Sequence, residues 1–353
     1  MTHFIFLMCS ERSGSNLITK LFDAHPDVCG PNTAHLADSI LPELHRYAPF
    51  DATSWQDLIE DVYELLQIKQ AVWQRRFSLT ELRECAAEGD LAGVLRFVYG
   101  EEARAQRKSI AFIKENRIHG YGTFLATHFP DARYVYHFRD PRDMAASWKD
   151  SYAIRGGIVR AAQTWQEDQI GFLKMKANIE VGPAASRPLQ PPQAPSAGTP
   201  QPVASAAYEN LVQQPEQTLR GLCTTLGLTF HPAMLKHHQL DRTELNARAA
   251  ADWSNLSRPI FSGSVGSFRT RLGADEIAYV ENVCREPMIA LGYEPENDRL
   301  PSEEFQRFAD RLSRSEPTEK ARYSQVSEQE RLLRSQLMDA RARIHRRPVR
   351  PLE

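Results

Sequence analysis

The sequence predicts an α/β fold: a parallel sheet flanked by helices in one main domain, with a helical C-terminal tail. Three observations support this. Three short apolar runs have strand length: His3 to Cys9, Ile110 to Ile113 and Ala132 to Phe138. Each is followed by a polar stretch and then by apolar residues at helical spacing. The segments between them carry the 3.6-residue periodicity of amphipathic helices. Strands that alternate with helices pair in parallel, and such sheets bind ligands beyond the carboxyl ends of their strands.

In chain order, the first run gives way to the polar stretch Ser10 to Ser15, and Leu17, Ile18, Leu21 and Phe22 then mark a helix face. Helices are expected over 34–47, 54–76 and 90–106, and after the second strand over 118–128. Beyond the third strand, Asp140 is a good N-cap and Pro141 suits the first helical position, so a helix opens there and runs to about 152. A longer helix is expected over 157–178. Val181 to Ala206, dense in Pro, Ala, Gln and Ser, reads as a flexible insert, with 183–201 expected to be disordered. Helical order returns at Pro215, with Leu219, Leu222, Cys223 and Leu226 on one face and Gly227 as C-cap. Another helix is expected over 274–291, ending at Gly292. The expected division is a main domain over 1–296 and a charged helical extension over 297–353. In the extension Leu333, Leu337, Ala340 and Ile344 form a thin stripe, suited to packing on its own domain or to a homodimer.

The 353 residues are 42% hydrophobic and 25% charged, as in ordinary soluble proteins. A net charge of −2 argues against a chain-wide nucleic-acid or anionic-membrane binder but permits a local basic pocket. The apolar run Phe4 to Cys9 is too short to span a bilayer, and the first residues have no signal-peptide pattern. Cys9, Cys29, Cys85, Cys223 and Cys284 are scattered with no C-x-x-C, which suggests free thiols, no zinc site and a cytoplasmic location.

Three cations stand at the three expected strand ends: Arg12, Lys114 and Arg139. One arginine after a strand is usually a solvated loop residue. Three on one edge of a parallel sheet imply an anionic ligand, with backbone N–H donors added by the helix that follows Gly14. The loop Cys9 to Asn16 is P-loop-like but fails the Walker pattern, because Ser15 stands where lysine is needed and Asn16 where serine or threonine is needed. A nucleoside triphosphate with Mg²⁺ is therefore a poor fit, and no metal is expected.

The loop Arg12-Ser13-Gly14-Ser15 resembles the 5′-phosphosulfate loop, [KR]-[ST]-G-[ST]-[TN], of the sulfotransferases that use 3′-phosphoadenosine 5′-phosphosulfate. The run from Phe138 to Ser147 resembles their R-D-P-x-D-x-x-x-S motif. Tyr208-Glu209-Asn210-Leu211 with Pro215-Glu216, then Gly266 to Leu272, and Gly292-Tyr293 are similar to later family segments. Their order along residues 3–294 is that of the family, nearest its bacterial type. The resemblance implies sulfonate transfer to a hydroxyl. It assigns Arg12 to the leaving phosphate, Ser13, Gly14, Ser15 and Asn16 to the cradle, Arg139 and Ser147 to the 3′-phosphate, and Tyr208 to the neighbourhood of the adenine. Lys114 would bind the sulfonate oxygens. One departure is the lead-in to Tyr208: Pro202 and a run of alanines stand where the family has an apolar strand.

The hydroxyl must lose a proton as it attacks. Many bacterial members of the family use a glutamate in the loop after the first helix. Here that loop, His25 to His35, has none, and His35 lies near that slot. Glu115 and His119, beside Lys114, are rival bases. The acceptor, whether sugar, lipid, peptide or small molecule, has no motif. A P-loop phosphotransferase and a non-catalytic nucleotide-binding paralogue are the alternative readings.

Overall fold

The computed structural model describes residues 2–181 and 202–350. Among these, five parallel strands form one sheet: β1 (His3–Cys9), β2 (Val28–Cys29), β3 (Ile110–Lys114), β4 (Arg133–Phe138) and β5 (Ala204–Ala207). Their order is β2-β3-β1-β4-β5. Strands β3, β1 and β4, which end at or just before Lys114, Arg12 and Arg139, are thus immediate neighbours. Leu7 pairs with Lys114 and Cys9 with His137, so the three cations emerge side by side at one edge.

Alternation along β1 fills both faces of the sheet. Phe6 and Met8 join a core with the helices Ala52–Ile68 and Leu91–Ala105. Ile5, Leu7 and Cys9 join a second core with Ser15–Asp23 and Pro215–Thr225. A third core links Pro141–Lys149, Ile158–Val181 and Ala274–Ala290. The fold class is the expected one, a parallel sheet flanked by helices.

Two expectations need correction, and one strand is unexpected. The helix expected over 54–76 stops at Ile68, and a separate short helix, Leu79–Glu84, follows. Tertiary partners capture the intervening backbone. Asn246 exchanges hydrogen bonds with Val72 (3.0 and 3.1 Å), and the Glu102 carboxylate accepts from the backbone of Gln74 and Arg75 (3.1 and 2.8 Å). The insert expected to run to Ala206 ends earlier, because Ala204–Ala207 is β5, paired in register with Val135 to Phe138. Small side chains suit that edge strand: Ala204 and Ala206 lie flush against the second core, and Pro202 precedes the first ladder position. The segment 183–201, expected to be disordered, lies outside the described residues. Finally, β2 is two residues long, too short for any periodicity to reveal.

Much of the C-terminal stripe packs on the chain's own core. The helix Glu328–Arg346 packs on Leu36–Ile40 and Ala52–Ile68, burying Ala340 and Ile344, with Leu337 against the first core. Among the described residues no helix is long and apolar enough to cross a membrane.

Candidate active site

The loop between β1 and its helix is folded tightly on itself. Ser13 is fully buried, and its hydroxyl donates to Ser10 O at 2.7 Å, so it closes the loop instead of facing a ligand. Gln169, from the helix Ile158–Val181, donates to the Ser10 hydroxyl at 2.8 Å and holds the loop from behind. Arg12 and Gly14 both have left-handed backbone (φ 61 and 89). For an arginine that conformation costs about 1–3 kcal/mol and persists only where the surroundings impose it. Glycine is needed at 14 for a second reason: a Cβ there would lie 2.4 Å from Tyr208 Cδ2.

A cavity of about 520 Å³ opens in front of this loop, lined among others by Arg12, Ser15, Asn16, Arg139, Ser147 and Tyr208. Distant parts of the chain meet there. Arg12 Nε donates to Ser147 Oγ at 3.1 Å. Arg139 donates from Nη1 to Arg12 O and from Nη2 to Ser264 O, both at 3.0 Å, and its guanidinium lies 4.3 Å from the centre of the Tyr208 ring. The Tyr208 hydroxyl meets Ser264 Oγ at 2.7 Å. Asp140 caps its helix as expected, accepting from Arg142 N at 2.9 Å. Asp143 does not pair with Arg139. It accepts from Gly266 N, Phe268 N and Ser267 Oγ at 2.6, 2.9 and 3.1 Å, pinning the 264–268 loop that supports Arg139 and Tyr208.

The site is poised for an anion. Burial pushes the Arg12 pKa down, and Asp252, 3.4 Å away, counteracts it. Burial also pushes His137 down to about 4, so its ring is neutral. His137 Nδ1 donates to Ala206 O at 3.0 Å, leaving Nε2 as an unpaired acceptor beside Gly14. Arg139 Nε and Asn16 Oδ1 are likewise buried without partners. Of these three atoms only Arg139 Nε is a donor; Asn16 Oδ1 and His137 Nε2 are acceptors. The groups that suit an anion are the two guanidiniums and the free amides at the helix N-terminus. Sequence reasoning missed five charged residues of the lining: Asp150, Asp252, Arg258, Arg271 and Arg322. They come from irregular segments and helix ends without motif or periodicity.

Glu115, His35 and Lys114 do not line this cavity; they lie toward the β2 side of the sheet. Glu115 is buried and accepts from Tyr99 OH (2.9 Å), Thr33 Oγ1 (3.3 Å) and Asp38 N (3.4 Å). Burial first, and then the charge of Asp38, pushes its carboxyl up to about 7. His35 also has left-handed backbone, φ 60, and its N–H donates to Thr33 Oγ1 at 3.1 Å. Its Nδ1 meets Asp38 Oδ2 at 3.1 Å. For Asp38, burial acts to raise the pKa, but His35 and Arg341 outweigh it and hold the carboxyl well below the usual range. His35 and Glu115 therefore belong to one network. Lys114 Nζ donates to Asn116 Oδ1 (3.0 Å), and Asn116 donates to Glu11 (2.9 Å). His119 stands apart, its Nε2 3.2 Å from Asp168 Oδ1.

The His35 loop is held by a buried ionic cluster. Lys20 donates to Asp23 (3.3 Å) and to Gly30 O (2.8 Å), Gly30 N donates to Asp23 (2.9 Å), and Lys108 and Arg242 approach the same carboxylate.

The sequence profile of the sulfotransferase family matches residues 5–232. No curated protein matches the chain in sequence. Among solved structures the chain is similar to the sulfotransferase domain from the curacin biosynthetic pathway, at 18% identity and a TM-score of 0.44, covering 89% of this chain and 98% of that one. It is also similar to the sulfotransferase domain of the Synechococcus PCC 7002 olefin synthase, at 14% identity and a TM-score of 0.45, covering 88% and 94%.

Proposed function

The chain belongs to the sulfotransferase family, and from that premise we propose that it transfers a sulfonate group from 3′-phosphoadenosine 5′-phosphosulfate to a hydroxyl of its acceptor. The observation that carries this reading is the 520 Å³ cavity lined by both Arg12 and Arg139. The donor, when bound, supplies an activated sulfonate on a phosphate leaving group. The chain's part is to hold the charge that builds on the leaving oxygen and the sulfonate oxygens.

Arg12 and the amides at Gly14, Ser15 and Asn16 face the leaving phosphate. Arg139 and Ser147 hold the 3′-phosphate. For this Ser147 exchanges its bond to Arg12 for one to the ligand, and Arg139 turns one of its free donors to it. Tyr208 walls the nucleotide side, and Lys114 serves the sulfonate oxygens. His35 takes the proton: with Nδ1–H donated to Asp38, the Nε2 lone pair is left for the acceptor hydroxyl. Glu115 is the weaker base, because three donors already pin its carboxyl. The phosphotransferase alternative finds no support, since Ser15 and Asn16 stand where a P-loop needs its lysine and its metal-binding hydroxyl. The inactive-paralogue alternative rests on the unusual segment 181–206; its described end forms β5 in register with β4, which supports the active reading.

Calorimetry tests the donor reading. Adenosine 3′,5′-bisphosphate should bind at least about tenfold more tightly than AMP without Mg²⁺, since a factor of ten needs only ~1.4 kcal/mol and a charged hydrogen bond supplies about that or more. Arg139→Ala should remove the preference. Equal affinities in the wild type would sink the proposal.

A further inference from the structure

Residues 317–347 lie far beyond the stretch shared with the family, yet they reach the site on two sides. Lys320 is buried and donates to Trp148 O (2.9 Å) and Gly156 O (2.5 Å), and Arg322 lines the nucleotide cavity beside Tyr152. The helix Glu328–Arg346 is then fixed at both ends. Its buried Glu330 accepts from Ala251 N at 2.9 Å, on the cavity wall, and Arg347, just past its end, donates to Asp61 at 2.7 Å.

From this fixed helix Arg341 reaches the proposed base. Its Nε donates to Ser39 Oγ at 2.9 Å and its Nη2 to Asp38 Oδ2 at 2.8 Å. That oxygen is the one His35 Nδ1 meets at 3.1 Å. We propose that Arg341 is a positioning residue that fixes Asp38, and through it the imidazole of His35, so that the C-terminal helix is part of the catalytic apparatus. The inference rests on the reading of His35 as the base.

The physical case has two parts. His35 sits at a left-handed junction before a helix of only five residues, so local backbone does little to orient its ring. That task falls to Asp38, whose carboxylate would be free to turn if the imidazole were its only side-chain partner. A guanidinium that grips Asp38 and Ser39 together stops the rotation, which a lysine ammonium cannot do with the same geometry. The second part is charge. The groups facing the pair are His35 itself, Arg341 from the C-terminal helix, and Glu115 from the end of β3. Arg341 brings a fixed positive charge to the carboxylate oxygen that the imidazole also meets, so that oxygen stays ionised and aimed at Nδ1.

The test uses the full chain labelled with ¹⁵N-histidine, the His35 signal being identified by its loss in His35→Gln. In the wild type the Nδ1–H tautomer should dominate. In Arg341→Ala that tautomer should lose its dominance. Arg341→Lys should fall between the two, and affinity for adenosine 3′,5′-bisphosphate should stay unchanged in both variants. An unaltered tautomer in Arg341→Ala would overturn the positioning role. A shifted imidazole combined with full transfer activity in His35→Ala would instead overturn the base assignment, and the helix's catalytic part with it.

Discussion

Arg12 and Asp252 form an ion pair at 3.4 Å in the wall of the cavity in front of the β1 loop. The same carboxylate accepts from Ser151 Oγ at 2.8 Å and from Tyr152 N at 3.2 Å. Under the proposed function, this buried carboxylate competes with the donor's phosphate for Arg12.

Asp252→Asn keeps an acceptor for Tyr152 N and removes the charge. Affinity for adenosine 3′,5′-bisphosphate should then rise, by about tenfold if the repulsion removed is ~1.4 kcal/mol, a modest value for partly buried charges. Calorimetry measures it directly. A loss of affinity would mean that Asp252 matters chiefly as an anchor for the 151–152 loop.

Gly14→Ala meets two obstacles at once, a φ of 89 and a Cβ 2.4 Å from the Tyr208 ring. The ring cannot retreat, because its hydroxyl is tied to Ser264 and Arg139 stacks on its face. The variant should lose about 1–3 kcal/mol of stability and bind nucleotide poorly. Denaturant titration and calorimetry report the two effects separately. A stable, fully binding variant would show that the loop has more room than this geometry allows.

The parts of this site that are legible in the sequence are those built from local pattern. Strand followed by Arg-Ser-Gly-Ser, and strand followed by Arg-Asp-Pro, mark both the sheet edge and the two cations on it. Asp38 stands three residues after His35, the spacing that puts two side chains on one helical face, yet only the folded chain shows that they pair. Arg341 and Asp252 cannot be found that way, since their meaning depends on contacts hundreds of residues apart. Strand β5 hides for a different reason. Its alanines look wrong for a strand by propensity, but a strand against a close-packed helix has room for little else. At 69–76 the helical pattern is overridden by the carboxylate of Glu102 and the amide of Asn246.

His35→Ala should lower the rate of sulfonate transfer by about 10²-fold or more, while affinity for adenosine 3′,5′-bisphosphate stays near wild type because His35 is not on the nucleotide cavity wall. The measurement uses radiolabelled donor with an acceptor fraction found by screening cell extracts. Normal turnover in His35→Ala together with loss in Glu115→Gln would move the base to Glu115.

Glu115 also gives the protein a pH signature. Its carboxyl is raised from an ordinary 4.5 to about 7, by burial and then by the charge of Asp38. The folded form therefore keeps its proton over a range in which the unfolded chain has released it. Stability from this group is complete below about pH 4.5 and is lost as pH rises through about 7. Asp38 works in the opposite sense, but its carboxyl is held below the usual range, so it titrates at pH values under that window. Urea denaturation at pH 5 and pH 8 should thus show the wild type losing more stability than Glu115→Gln over the same interval. The variant's amide has no proton to lose there, so the difference between the two proteins isolates this one group. Tyr99 and Thr33 both donate to Oε1, which the amide oxygen of glutamine can replace, and only the long 3.4 Å bond from Asp38 N to Oε2 is lost, so the variant should fold. Equal losses in the two proteins would mean that Glu115 is ionised throughout, with the Tyr99 and Thr33 donors outweighing its burial.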